Sequence, residues 1–276
     1  MSIVTFWGTG KEQPGRTMAV AAIATNMAIE RNKRILIVSV SSNNETLKNC
    51  YWTDTIEKKT SIFRVGNGVE LDNGIEGLTK IIQSNKISPN LITDYTKVVF
   101  KDRLEVLMGF DDKTLHTPEN EAKIYKEVVN LAAKYYDMVI VDLDNEPAQA
   151  GADEILNKSD VIIAMTSQKI SSIKEMKEKI GTLLPSEKTM LVIGRYDKQS
   201  KYNTKNLLRM LNEKKEMLIM PYNTLFFEAA QEGTMADLFL KLRRIEDKND
   251  GNNFFIEHVK KITQEILKKI DENKLI

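Results

Sequence analysis

Cysteine and histidine are nearly absent from this chain, which has one cysteine and two histidines among its 276 residues. The single cysteine, Cys50, excludes an internal disulfide and a metal site built on paired cysteines. The two histidines, His116 and His258, are too few for the usual histidine-based metal centre or catalytic triad. The composition therefore argues against disulfide, thiol-metal and triad chemistry.

The chain also lacks a long hydrophobic run and an excess of charge of either sign. No apolar stretch approaches the ~20 residues that span a bilayer, and the first seven residues have neither the basic start nor the long apolar core of a signal peptide. The formal net charge is +1, so no overall field attracts nucleic acid. We therefore expect a cytoplasmic protein in which any contact with DNA or anionic lipid depends on a local patch.

What the sequence does contain is an alternation of short apolar runs with helical patterns. The runs predict strands at residues 3–7, 35–40, 104–108, 138–141, 161–165, 190–193 and 218–220. Helical patterns lie between them, at residues 17–31, 74–84, 119–134, 170–180 and 204–214. This alternation predicts an α/β fold with a doubly wound, mostly parallel sheet covered by helices on both faces. In such sheets ligands bind at the carboxyl ends of the strands, here the loops after Trp7, Val40 and Val141.

The most informative segment is residues 10–17, which read G-K-E-Q-P-G-R-T. The spacing of Gly10, Gly15, Arg16 and Thr17 fits the phosphate-binding loop, or P-loop. Its glycines let the backbone curl around phosphate oxygens, and the N-terminus of the next helix adds positive potential. In such a loop the basic side chain reaches the terminal phosphates, and the hydroxyl of Thr17 binds Mg2+. The plainer alternative is a strand, turn and helix that bind no ligand.

A second basic residue, Lys11, directly follows the first glycine. With it the loop resembles the deviant Walker A loop of the ParA/MinD-type ATPases, whose pattern is G-K-G-G-x-G-K-S/T. The resemblance implies a P-loop fold that binds ATP and Mg2+, and a homodimer that sandwiches nucleotide while Lys11 reaches the partner's phosphates. The nucleotide-binding residues that it implies in the loop are Gly10, Lys11, Glu12, Gln13, Pro14, Gly15, Arg16 and Thr17.

Other segments resemble motifs of the same family, in the same order along the chain. Residues 136–142, Y-D-M-V-I-V-D, resemble the Walker B strand. That likeness implies that Asp142 supports the metal together with Thr17, and that Asp142 and Lys11 serve catalysis. Residues 191–195 and 220–222 resemble the segments that border the base, which implies contacts from Arg195, Pro221 and Tyr222. With its altered loop the chain resembles the CpaE/TadZ-like positioning proteins of pili and secretion systems.

Three residues depart from the family pattern. Arg16 replaces a lysine, Ser41 stands where a carboxylate usually follows the second strand, and Gly194 replaces an asparagine that reads adenine. Ser41 carries no charge that could orient a metal ion or an attacking water. Asp144 is a substitute carboxylate two residues after Asp142. We therefore expect weak nucleotide binding and slow or absent hydrolysis, so that the chain, if active, is a weak ATPase.

The last part of the chain follows a polar break at residues 247–253, D-K-N-D-G-N-N. We predict a P-loop domain over residues 1–246 and an amphipathic C-terminal helix over residues 253–276, packed on the same domain. The apolar positions of this helix recur at three- and four-residue spacing and are Phe255, Val259, Ile262, Ile266 and Ile270. The alternative is a membrane-seeking helix like that of MinD-like proteins, which would place the protein peripherally at the inner face of the membrane.

A basic stripe offers a second contact surface. Its members are Lys198, Lys201, Lys205 and Arg209, near the start of one predicted helix. ParA-type proteins bind DNA non-specifically through such surfaces, and the contact would weaken with salt. The alternative is a solvated helix face, which Glu213 on the same face favours.

These features predict an ATP-binding switch protein that positions or regulates a larger assembly through an unidentified protein partner. The process is pilus assembly or secretion, conjugation or DNA partition. The alternative function is a non-catalytic scaffold that no longer binds nucleotide and keeps only the fold and the dimer face. Stabilisation by ATP distinguishes the two, because a ligand of the folded state raises the melting temperature. A metal-inserting or iron–sulfur relative is disfavoured because paired cysteines are absent.

Overall fold

The computed structural model describes residues 1–10, 14–41, 44–53, 74–83, 88–110, 117–144 and 151–274. Its strands are β1 (Ser2–Gly8), β2 (Ile35–Val40), β3 (Lys97–Phe100), β4 (Leu104–Leu107), β5 (Met138–Leu143), β6 (Val161–Thr166), β7 (Thr189–Tyr196) and β8 (Met217–Pro221). Its helices are α1 (Arg16–Glu30), α2 (Glu45–Tyr51), α3 (Ile75–Gln83), α4 (Pro118–Tyr135), α5 (Ala152–Lys158), α6 (Ile170–Lys179), α7 (Thr204–Leu211), α8 (Thr224–Glu232), α9 (Met235–Leu242) and α10 (Asn253–Lys274). A short 3₁₀ helix spans Pro89–Tyr95.

The described strands form one sheet in the order β3-β4-β2-β5-β1-β6-β7-β8. The central strand, β1, runs parallel to both of its neighbours, β5 and β6. Among these eight strands, β3 alone is antiparallel, where it pairs with β4 at one edge. The strands read as continuous apolar runs because helices cover both faces of the sheet. The predicted doubly wound, mostly parallel α/β fold is therefore confirmed.

The sheet separates two apolar layers because successive side chains of a strand point to opposite faces. Val4 and Phe6 of β1 pack in the layer that contains α1, α2, α8, α9 and α10. Ile3 and Trp7 pack in the opposite layer, with α3 to α7. In α1 every residue from Met18 to Ala28 is buried, and its many alanines let the helix lie close to the sheet. This close packing holds the start of α1 against the carboxyl ends of the strands.

The C-terminal helix α10 packs against α1, β6 and β8. Its apolar positions, which are Phe255, Val259, Ile262, Ile266 and Ile270, are all buried in the same layer as α1. The apolar face of α10, which the sequence alone could assign either to packing or to a membrane, therefore lies inside the protein. In the ranges described above, none of the helices combines the length and the apolar character that crossing a bilayer requires.

Three strands end side by side at the edge where α1 begins. Phe6 of β1 is in register with Asp142 of β5, and Ser39 of β2 pairs with the same residue from the other side. The loops after β1, β2 and β5 consequently meet at one edge of the sheet, as the strand pattern predicted. This edge positions the candidate site.

Candidate functional site

The loop between β1 and α1 carries the predicted phosphate-binding residues. The structure describes Gly10 and residues 14–17 of this loop, while Lys11, Glu12 and Gln13 lie outside the described residues. Gly15 adopts a left-handed conformation with φ of 80° immediately before the first residue of α1, which glycine tolerates better than any other residue. The N-cap residue Gly15 makes no side-chain hydrogen bond to α1, and the first amide groups of the helix face the loop.

The guanidinium of Arg16 is held between two aspartates at the end of β5. Its Nε donates a hydrogen bond of 2.5 Å to Oδ1 of Asp142, and its NH1 donates one of 3.1 Å to Oδ1 of Asp144. The side chain of Arg16 is 12% exposed, and that of Asp142 is fully buried. Burial opposes the charge of Arg16, but the two carboxylates outweigh it and raise the pKa above its ordinary value. Arg16 is therefore a permanent cation whose partners belong to the protein.

Thr17 contacts the other oxygen of the same aspartate. Its Oγ1 donates a hydrogen bond of 2.7 Å to Oδ2 of Asp142. The first two residues of α1 thus engage both oxygens of Asp142. The structure brings together Thr17 and Asp142, the two residues that the resemblance assigned to the metal.

Ser41, the residue directly after β2, completes this cluster from the other side. Its Oγ donates a hydrogen bond of 3.2 Å to Oδ2 of Asp144, and the residue is buried. Asp144 therefore lies between Arg16 and Ser41, much as Asp142 lies between Arg16 and Thr17. We call the five residues Arg16, Thr17, Ser41, Asp142 and Asp144 the arginine cluster.

The contacts of the arginine cluster test whether its oxygens suit a magnesium ion. Mg2+ requires nearly octahedral oxygen ligands at ~2.0–2.1 Å and usually keeps several waters. The carboxylates and hydroxyls are ligands of the right type, but the guanidinium of Arg16 already contacts both carboxylates. A second cation at Asp142 would meet this positive charge at close range. In this arrangement the residues do not fit Mg2+, so the predicted role of Thr17 and Asp142 as metal ligands lacks support from their geometry.

A cavity of about 140 Å³ opens between the loop and the end of β8, and we call it the loop cavity. Its lining residues are Pro14, Gly15, Met18, Arg195, Met220, Pro221, Tyr222, Asn223, Phe226 and Phe227. They include all three residues predicted to border the base, Arg195, Pro221 and Tyr222. A cavity of ~150 Å³ lined by apolar side chains binds benzene, so the loop cavity matches the size of a planar ring. The motifs did not predict the part of the cavity lining that α1 and α8 supply, although the sequence shows Met18 and Phe226 as apolar residues.

Gly194 and Arg195 bring the end of β7 against the loop. A Cβ atom built on Gly194 would lie 1.8 Å from the carbonyl oxygen of Pro14. Close packing therefore explains why position 194 has no side chain. The sequence, in which Gly194 was compared with an asparagine that reads adenine, did not reveal this. The register of β7 against β8 shifts between Ile193 and Tyr196, and Arg195 adopts a positive φ of 50°. This irregularity places the Arg195 side chain 3.6 Å from the position that a Cβ of Gly15 would take.

A third carboxylate contacts the loop from α6. The amide of Gly10 donates a hydrogen bond of 2.9 Å to Oε1 of Glu175, 165 residues away in the chain. No motif pointed to Glu175, because nothing in the spacing of α6 reveals its distance from the loop. One amide of the predicted phosphate-binding loop is thus bound by a side chain.

The predicted basic stripe is divided between the loop before α7, with Lys198 and Lys201, and α7 itself, whose last turn includes Arg209. Lys198 and Lys201 lie near the rings of Phe254 and Tyr202, with Nζ at 5.8 and 5.3 Å from the ring centroids. Lys205 and Arg209 line a shallow surface depression together with Glu213. The surface has mixed charge at its α7 end, and DNA binding there stays a prediction.

Comparison with known proteins yields structural matches alone. No protein-family model matches the sequence, and no curated protein matches it. The cell division ATPase MinD of Pyrococcus furiosus matches with a TM-score of 0.65 and 16% identity, over 96% of this chain and 99% of that one. The MinC:MinD cell division complex of Aquifex aeolicus matches with a TM-score of 0.63 and 15% identity, over 95% and 96%.

A third match bears a nucleotide analogue. It is a putative plasmid partition protein of Borrelia burgdorferi B31 bound to AMPPNP, with a TM-score of 0.62 and 16% identity over 98% of both chains. Identities this low establish the fold alone. The chain has the fold of the ParA/MinD-type P-loop ATPases, as the resemblance implied, whereas the CpaE/TadZ-like subgroup stays a prediction.

Proposed function

We propose that this chain binds ATP, with the phosphates on the loop at residues 10–17 and the adenine in the loop cavity. One observation carries the proposal. The loop residues Pro14 and Gly15 share a single cavity with Arg195, Pro221 and Tyr222. A base stacked in that cavity would leave its phosphates beside the N-terminus of α1. Proteins of the same fold were solved with AMPPNP and with Mg-ADP, which supports the assignment of the ligand class.

Basic groups besides Arg16 would also meet the negative charge of the phosphates. Arg195 approaches Gly15 from β7, and Lys11 belongs to the loop by sequence. The backbone amide of Gly15 adds a hydrogen-bond donor at the start of α1, while Pro14 has none. In this proposal Lys11 also reaches the phosphates of a second copy and joins two chains around nucleotide.

Hydrolysis is slow or absent in this proposal. Activation of water requires a carboxylate or an amide group that can orient it beside the terminal phosphate. Asp142 accepts hydrogen bonds from Arg16 and Thr17, and Asp144 accepts them from Arg16 and Ser41. Both carboxylates are therefore committed to the protein, so the output is a change of binding state, with little turnover.

The binding state would position or regulate a larger assembly through a protein partner. The structurally similar proteins include a MinC:MinD cell division complex and a putative plasmid partition protein, and the first of these supports a protein partner. Pilus assembly or secretion, conjugation and DNA partition all suit such a switch.

A second candidate function is a scaffold that no longer binds nucleotide. Two contacts favour it, because they satisfy groups that would otherwise face phosphate. The amide of Gly10 is bound to Glu175, and the guanidinium of Arg16 is bound to Asp142 and Asp144. A scaffold of this kind keeps the fold and the dimer face without ATP.

The melting temperature in an ATP titration separates the two functions. At a concentration ~100 times the dissociation constant, a ligand of the folded state stabilises it by ~2.7 kcal/mol. Tyr222→Ala should weaken this stabilisation because its exposed ring borders the loop cavity. Leu240→Ala is the matched control, since Leu240 is also an exposed apolar residue but lies on α9, outside the cavity lining.

Sizing of the same samples tests the dimer. ATP should convert monomer to dimer, and Lys11→Ala should abolish this change while it preserves binding to the monomer. A protein whose melting temperature does not move at millimolar ATP is the scaffold. Dimers that form equally with and without ATP would refute the switch.

A further inference from the structure

The arginine cluster joins one cation to two carboxylates at the edge of the sheet. Arg16 contacts Asp142 through Nε and Asp144 through NH1. An arginine side chain stays protonated in proteins and presents its donors in a fixed planar fork. Because the fork spans both aspartates, the cation bridges them much as a divalent ion bridges acidic ligands. The bridge is also shielded, since the Arg16 side chain is 12% exposed and the Asp142 side chain is fully buried.

The hydroxyls of the cluster reinforce this arrangement. Thr17 and Ser41 both donate hydrogen bonds to the aspartates, the first to Asp142 and the second to Asp144. A carboxylate at position 41 would instead place a third negative charge beside Asp144. The single guanidinium of Arg16 would then have to balance three anionic groups. Ser41 is therefore the residue type that suits a site in which Arg16 is the resident cation.

A magnesium ion could bind these oxygens only by displacing the guanidinium. A doubly charged ion at Asp142 would lie close to the positive charge of Arg16, in surroundings that screen the repulsion poorly. The guanidinium carries five N–H donors, and its contacts with Asp142 and Asp144 use two of its nitrogens. Arg16 is the first residue of α1 and directly follows Gly15 of the loop, so in the proposed ATP complex its third nitrogen, NH2, would donate to a phosphate oxygen.

We propose that Arg16 takes the place of Mg2+ in this site, so that the protein binds ATP without a divalent cation. This inference rests on the proposed binding of ATP and goes beyond it, because it states which charge form of the nucleotide the site accepts. The ligand is metal-free ATP, whose phosphates meet the Arg16 guanidinium in place of a bound ion.

Calorimetric titration with ATP in excess MgCl2 and in excess EDTA tests the inference on the full chain. Because excess Mg2+ converts most of the ATP to its magnesium complex, we expect the apparent affinity of the wild type to be at least ~3-fold higher in EDTA than in MgCl2. In Arg16→Lys the compact ammonium cannot bridge both aspartates, so the affinity should fall by at least ~10-fold in EDTA, equivalent to ~1.4 kcal/mol. The control is Arg34→Lys, which alters an exposed arginine–aspartate pair at the other end of β5 and should behave as wild type.

Binding of Mn2+ to the nucleotide-free protein, measured by electron paramagnetic resonance, gives an independent readout. Mn2+ favours the same oxygen ligands as Mg2+. The wild type should leave Mn2+ free, and folded Arg16→Ser, verified by circular dichroism, should bind it at the vacated aspartates. The double variant Arg16→Ser, Asp142→Asn should lose that binding again.

Each result supports or overturns either the proposed binding of ATP or the inference that Arg16 takes the place of Mg2+. A wild-type affinity that is less than ~3-fold higher in EDTA than in MgCl2 overturns the inference and leaves ATP binding intact. The inference is also overturned if the wild type and Arg16→Ser bind Mn2+ equally well, or if neither of them binds it. A wild type that binds no ATP in either buffer refutes the proposed function, and the Mn2+ comparison then decides alone whether Arg16 occupies the cation site.

Discussion

The carbonyl oxygen of Pro14 lies where a side chain of residue 194 would begin. A Cβ atom on Gly194 would come within 1.8 Å of this oxygen and 2.9 Å of the carbonyl carbon. The loop before α1 therefore rests directly on the end of β7. Because Pro14 also lines the loop cavity, the shape of that cavity depends on the absence of a side chain at position 194.

Gly194→Ala should therefore displace the loop. The added methyl group cannot coexist with the Pro14 carbonyl, and overpacking of this kind costs ~1–3 kcal/mol of stability. Because the displaced backbone lines the loop cavity, we also expect the affinity for ATP to fall by ~10-fold, equivalent to ~1.4 kcal/mol. Urea denaturation measures the first effect, and thermal shift over an ATP titration measures the second.

Gly251→Ala is the matched control for this substitution. A Cβ atom built on Gly251 meets nothing within 4 Å, so its effect on stability should stay within ~0.5 kcal/mol. Wild-type affinity and stability in Gly194→Ala would show that the loop need not rest on β7.

The sequence predicted most of the sheet because its strands are buried on both sides. Such strands are unbroken apolar runs, and β2 was predicted with the bounds that the structure has, Ile35–Val40. The edge strand β3 was missed, because it has four residues and none of them is buried. Helices α2, α5, α8 and α9 were missed as well, because seven to nine residues leave few positions at which a helical period can be recognised.

The candidate site was predictable only as far as sheet topology determines it. Neighbouring parallel strands bring the loops after β1 and β5 together, so the meeting of Thr17 with Asp142 followed from the pattern. The direction of the Arg16 side chain could not be predicted from the sequence, since the same spacing allows it to face a phosphate or an aspartate. The contacts of Gly10 with Glu175 and of Pro14 with Gly194 join distant segments, and sequence spacing does not reveal them.

Arg16→Ala should destabilise the protein by ~3–5 kcal/mol, the range for a buried ion pair that loses one partner. The substitution leaves Asp142, whose side chain is fully buried, with a charge and with Thr17 as its remaining partner in the arginine cluster. The free energy of unfolding in urea measures the loss.

Arg34→Ala provides the comparison for the buried pair. Arg34 and Asp137 are 45% and 47% exposed and lie 3.9 Å apart, and exposed ion pairs contribute ~0–1 kcal/mol. Equal losses in the two variants would contradict the view that Arg16 holds a buried charge pair together.

Cys50 should be unreactive in the native protein. Its side chain is buried against α1, its Sγ contacts the carbonyl oxygen of Thr46 at 3.1 Å, and burial raises the pKa of the thiol well above its ordinary value. Because the thiolate is the reactive form, a colorimetric thiol reagent should label one cysteine in denaturant and almost none without it. Rapid labelling of the native protein would show that α2 opens readily.

His258 should make stability fall in mildly acidic solution. Partial burial and the charge of Lys261 lower its pKa in the folded state, against the opposing effect of Glu257. Above the unfolded pKa of ~6.5 the residue has no effect. As the pH drops toward the folded pKa, the unfolded chain binds the proton more readily and stability declines.

The difference between wild type and His258→Gln isolates this contribution. Urea denaturation between pH 5 and pH 8 should show the wild type losing more stability than the variant on acidification. Parallel curves would mean that the protonated imidazole is tolerated beside Phe254, its neighbour at 4.6 Å between ring centroids.

The C-terminal helix should contribute to folding through its buried face. Ile266 is fully buried between α10 and the sheet, and truncation of such a side chain costs ~2–5 kcal/mol. Ile266→Ala should show this loss in urea. Lys268→Ala is the control on the same helix, because its side chain is 66% exposed and surface changes stay within ~0.5 kcal/mol.

The same burial predicts how the protein behaves with membranes. An amphipathic helix binds a bilayer through its apolar face, and in α10 that face already contacts α1, β6 and β8. The wild type should therefore remain in the supernatant when vesicles rich in anionic lipid are sedimented. Sedimentation that disappears when the residues after Gly251 are deleted would show instead that α10 leaves the sheet for the membrane. In that case Ile266→Ala, by loosening the helix from the protein, would change vesicle binding as well as stability.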